Sequence, residues 1–142
     1  MSEESKLKTR DQRYAAVIYE QVVRLEPEKK EEWVKDYGRL ANNLPVLVKK
    51  AGLAQALSFV EAKSKDDIES RNKKSGGRQL LTHLQAAISE VSGEEIDLMN
   101  SSRTAPLSEY LWLTQQVMAA LHWYKRFAQS VLDVKQGDEG RA

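Results

Sequence analysis

From Tyr110 to Val134 the chain reads YLWLTQQVMAALHWYKRFAQSVLDV. Tyr110, Leu113, Val117, Ala120, Tyr124, Phe127, Val131 and Val134 recur at alternating three- and four-residue steps. That spacing is the helical period, because residues three and four apart share a helix face. Leu107, Leu111, Met118, Leu121, Ala128 and Leu132 lie alongside. They widen the apolar face beyond ~100°, as in a helix with neighbours on several sides. One long helix is therefore expected from about residue 106 to residue 134.

The same period recurs towards the N-terminus, with no run of alternating β-branched residues. Residues 78–91 place Leu81, Leu84, Ile88 and Val91 on one face, with Ser92-Gly93 as the stop, and residues 94–100 read as a short helical or irregular linker. Residues 53–63 place Leu53, Leu57 and Val60 inward. A second helix is expected to open at Pro27, whose missing N–H costs nothing at the first helical position. Its face carries Trp33, Tyr37, Leu40 and Leu44, and Pro45 should kink or restart it. Lys49-Lys50 followed by Gly52 forms a good C-terminal end. The first helix, residues 10–25, is announced by Thr9-Arg10-Asp11-Gln12, a capping box. Tyr14, Val17, Ile18, Val22 and Leu25 form its stripe. Residues 64–77, SKDDIESRNKKSGG, lack a core pattern, end in a flexible Gly-Gly pair and read as an exposed polar loop with room for one helical turn. Residues 1–8 and 136–142 read as flexible ends. The expected fold is all-α: a compact bundle of five to six helices with a long C-terminal helix and a kinked second helix.

The chain has 142 residues, which suits a single domain with its core at about residues 10–134. It has no cysteine, so disulfides, thiolate metal sites and a cysteine nucleophile are excluded. The opening residues carry neither a basic nor an apolar region of a secretory leader, and no apolar run approaches ~18 residues. A cytoplasmic protein without membrane contact is expected. Lys and Arg number 22 against 21 Asp and Glu, a net charge of +1, so nucleic-acid binding requires a local patch.

No pattern for catalysis, metal or cofactor emerges. His83 and His122 lack a helical partner at i+4 and read as satisfied polar or surface residues. Asp66-Asp67 and Glu94-Glu95-Asp97 follow turn signals, where acids favour a helix N-terminus. Lys73-Lys74-Ser75-Gly76-Gly77-Arg78 lacks the spacing of a phosphate loop. A metal-dependent nuclease using Asp66, Asp67 and Glu69 is the weakest reading.

Three basic sets stand out. Lys63, Lys65, Arg71, Lys73, Lys74 and Arg78 face only three acids over residues 63–78. Lys49-Lys50 form the second set. His122, Lys125, Arg126 and Gln129 share one edge of the last helix and form the third. Each reads either as a solvated face or as a set of phosphate contacts. Trp112 and Trp123 lie on one flank of that helix. They either pack on the kinked second helix or mark a protein interface.

Two segments carry a resemblance. Leu44-Pro45-Val46-Leu47-Val48-Lys49-Lys50-Ala51-Gly52-Leu53 precedes Ala56-Leu57-Ser58-Phe59-Val60-Glu61-Ala62-Lys63. Tyr110-Leu111-Trp112-Leu113-Thr114 precedes Ala119-Ala120-Leu121-His122-Trp123-Tyr124-Lys125-Arg126-Phe127-Ala128. Together, in this order, they resemble the small α-helical subunit of the Cmr-type (type III-B) CRISPR effector complex, its fifth subunit. The resemblance implies a helical bundle without catalytic activity. It implies copies stacked as the minor filament beside the other Cmr subunits, and a channel for guide and target RNA bound without regard to sequence. It further implies that Leu44, Pro45, Gly52, Leu53, Thr114 and Trp123 keep the fold, and that Lys63, Lys125 and Arg126 face RNA or a neighbour. The competing reading is a free helical adaptor that binds a protein partner through the Trp112/Trp123 flank, without nucleic acid.

Overall fold

A computed structural model describes residues 7–71 and 74–135, the side chains of 69–71 excepted. Among these residues six α-helices follow one another: α1 (Arg10–Val23), α2 (Glu32–Ala51), α3 (Leu53–Arg71), α4 (Gly76–Ser92), α5 (Leu98–Thr104) and α6 (Leu107–Ser130). No strand occurs among the described residues. Helix α6 packs mainly on α2 and α1, and α4 closes the ring by packing on both of them. Helix α3 covers the α2–α4 side, and α5 bridges α3 to α6. Tyr14, Tyr37 and Tyr124 are fully buried together with Ile18, Leu84 and Leu121.

The first helix begins as its sequence dictates. The Thr9 hydroxyl accepts from the Gln12 amide at 3.0 Å, and Gln12 Oε1 accepts from the Thr9 amide at 2.9 Å. Two donors without helical partners are thereby satisfied. At the end of α2, Gly52 adopts φ +88°, a conformation that side chains disfavour, and its N–H donates to Val48 O. The expected C-terminal end is formed there.

Several expectations are corrected. The second helix does not open at Pro27. Glu26–Glu28 form a 3-10 turn, Glu31 is extended, and α2 starts at Glu32. Nor does Pro45 restart the helix, since α2 runs unbroken through it. On the buried faces, Val34 and Leu80 take the places foreseen for Trp33 and Leu81, which are only partly buried. Residues 64–77, foreseen as an exposed loop, are helical up to Arg71. Ser64 is buried there and donates its hydroxyl to Val60 O at 2.7 Å, so a polar side chain is satisfied within its own turn.

The Gly76-Gly77 pair, expected to be the flexible end of that loop, is buried and opens α4. A Cβ on Gly76 would strike the Trp33 carbonyl oxygen and the Tyr37 amide nitrogen of α2. These glycines therefore allow close backbone approach. The expected flexible ends fall, for residues 1–6 and 136–142, outside the described residues, whereas Leu7 and Lys8 are exposed.

Candidate functional site

The two resembling segments meet in space. Tyr110 Oη accepts from the Ala54 amide at 3.2 Å, joining the start of α6 to the start of α3 just past Gly52. Thr114 donates its hydroxyl to Tyr110 O at 2.9 Å within α6. Trp123 donates from Nε1 to Asp11 Oδ1 at 2.9 Å and stacks on Phe127 at 5.5 Å between ring centres. It thus ties α6 to α1, where one reading of the flank foresaw packing on α2. Trp112, on the same flank, is 38% exposed and lines an open groove of about 660 Å³ with Arg10, Ile96 and Glu109.

The structure puts members of two of the three basic sets along one seam. Gln129 Nε2 donates to Asn42 Oδ1 at 3.1 Å, and Gly38 lies against Val134 and Ala128, so α2 and α6 run antiparallel. At 1.5 Å per residue, Lys49 stands about 10 Å beyond Asn42, and His122 lies as far back from Gln129. Lys125 is one turn from Gln129. Residues seven and four apart share a helix face, so Lys49, His122 and Lys125 follow the same α2–α6 seam. Lys50, Lys49, His122 and Arg126 are exposed. Lys125 is partly buried and has an interaction of its own.

The first set, from residues 63–78, is split. Lys65 and Arg78 line one groove between α3 and α4. Lys63 lies two residues from Lys65 and therefore on another side of α3. Lys74 Nζ sits 5.1 Å from the centre of the Trp33 ring, a cation–π contact. The Arg71 side chain and Lys73 lie outside the described residues. So does the side chain of Glu69 from the nuclease reading, and among the described residues no three His, Asp or Glu side chains converge as metal ligands.

Between the helices lies a polar network that the sequence does not announce. Gln79 Nε2 donates to His83 Nε2 at 2.7 Å, which leaves the ring proton on Nδ1, donating to Tyr37 Oη at 2.7 Å. Gln21 Nε2 donates to His83 O at 3.0 Å, and Tyr124 Oη donates to Gln21 Oε1. Tyr14 Oη donates to Gln116 Oε1 at 2.7 Å. Burial lowers the His83 pKa to about 4, so the ring is neutral near pH 7. Burial likewise raises the Tyr37 and Tyr124 hydroxyls well above the ordinary tyrosine range. The Tyr14 and Tyr124 hydroxyls thus donate and the Tyr37 hydroxyl accepts, and the network links α1, α2, α4 and α6. No helix among the described residues is long and apolar enough to cross a membrane.

Comparison with known proteins agrees with the resemblance carried by the two segments. A family model described as CRISPR-associated protein (Cas_Cmr5) matches residues 10–131. A CRISPR system Cmr subunit Cmr5 of Thermus thermophilus is 36% identical over 129 residues, covering 89% of this chain and 99% of that one. The crystal structure of a CRISPR-associated Cmr5 family protein from Thermus thermophilus superposes with a TM-score of 0.64 at 35% identity, covering 88% of this chain and 98% of that one. With α1 through α6 inside the matched span and both signature segments joined at Tyr110 and Ala54, the chain belongs to the Cmr5 family of CRISPR-associated proteins.

Proposed function

We propose that the chain is a non-catalytic subunit of a type III-B Cmr effector complex, stacked in its minor filament and helping to line the channel that holds target RNA. The observation that carries this reading is the family match across nearly the whole bundle. The α2–α6 seam supports the RNA role. Lys49 and Lys125 border this seam from two antiparallel helices, with Lys50 and Arg126 exposed beside them, a grouping suited to successive phosphates. A few such contacts bind weakly and without sequence preference, while guide pairing supplies the specificity. Lys63 and Lys74 serve as secondary contacts. The exposed Trp112 and its groove offer the surface for a neighbouring subunit, and Trp123 supports that surface from inside.

The experiment is a salt titration of oligouridine binding. For the wild type, the logarithm of affinity should fall linearly with the logarithm of salt. Reversing Lys49, Lys125 and Arg126 to glutamate should remove about 0.7 from the slope for each single-strand phosphate that is no longer neutralised. An unchanged slope would exclude the seam as the RNA path.

A further inference from the structure

Between α3, α4 and α5 lies an open groove of about 740 Å³, lined in part by Leu81, Met99, Lys65 and Arg78. Its two cations are exposed and have no ion-pair partner among the described residues. The carboxylate at its edge, Glu61, is already engaged by Arg103 at 2.8 Å. Arg78 is the third residue of α4, whose first turn contains no acid. A cation there opposes the positive end of the helix dipole. An external anion would remove that opposition and meet Lys65 at the same time.

The lining favours a protein over a nucleic acid. No aromatic ring borders the groove, so bases have nothing to stack on. Instead, Leu81 and Met99 offer adaptable apolar surface beside the two cations. That pairing complements an apolar side chain flanked by carboxylates. The volume falls within the ~300–1,000 Å³ of ordinary binding pockets, enough for a few side chains. We infer that this groove docks a short acidic segment of a partner polypeptide, with an apolar side chain on Leu81 and Met99 and carboxylates on Lys65 and Arg78. The inference does not depend on whether the α2–α6 seam binds RNA.

The test uses the full-length protein, isotopically labelled, titrated with a synthetic peptide of glutamate, aspartate and leucine, and separately with oligouridine. Saturable amide shifts from the peptide should centre on residues 58–65, 78–85 and 98–103. The double variant Lys65→Glu/Arg78→Glu should weaken the peptide at least about tenfold, ~1.4 kcal/mol, and leave oligouridine binding unchanged. Thr82→Glu, an exposed site on the same groove, should weaken the peptide in the same direction by like-charge repulsion and serves as the second variant. Peptide shifts that do not saturate, or that lie elsewhere, would overturn the inference. An equal loss of oligouridine binding in the double variant would overturn it too, by assigning the groove to RNA.

Discussion

At His83, the depressed pKa makes a signed prediction. The unfolded imidazole takes its proton near pH 6.5, whereas the folded one resists it until about pH 4. Between those values the unfolded chain binds more protons, so His83 makes stability fall as pH falls from about 6.5 to 4. Urea midpoints measured at pH 7 and pH 5 should show a drop that His83→Gln largely removes. An equal drop in that variant would place the proton elsewhere. Gly76 makes a second residue-scale prediction. Because a Cβ there meets α2 backbone rather than a movable side chain, Gly76→Ala should cost about 2 kcal/mol or more in urea unfolding. A neutral result would mean that α4 can slide off α2 without penalty.

At the scale of elements, legibility in the sequence depends on whether the signal is local. The capping box at Thr9 and the cap at Gly52 rest on contacts within four residues, and both form as expected. Residues 64–71 escape a sequence reading because Ile68 is the one apolar residue in that stretch, so the apolar period fades while the backbone stays helical. What holds it is tertiary: Val60 and Ser64 lie where Gly77 arrives from α4. The glycine pair suggests flexibility because sequence does not show what presses against it. Pro45 is the reverse case, a strong local stop signal overridden by the packing of α2 against α6 and α4. Replacing it should restore the hydrogen bond to Ala41 O. Pro45→Ala is therefore expected to gain about 1 kcal/mol, less than the ~3 kcal/mol of an isolated helix because the unfolded chain also gains freedom. Destabilisation on calorimetry would show that the ring's own packing outweighs the missing bond.

Across the whole molecule, the candidate surface is only partly legible in the sequence. The residue types are evident, since lysines and arginines cluster in the chain. Their grouping is not, because it depends on the antiparallel register of α2 and α6, which Asn42 and Gln129 reveal only once folded. Lys65 and Arg78 fall instead in the groove between α3 and α4, although the sequence places those two with Lys63 and Lys74. The tryptophan flank is likewise divided by structure: Trp123 is engaged by Asp11, and Trp112 is left outward. A bundle with its buried tyrosine hydroxyls hydrogen-bonded and cations on its edges suits the proposed role in assembly and in holding an RNA strand.

The most direct test of that role is affinity purification of the tagged protein from its native host, with nucleic acid extracted from the eluate. The account predicts a set of co-eluting Cmr subunits together with a guide RNA. Elution alone, or with one unrelated protein and no RNA, would contradict it.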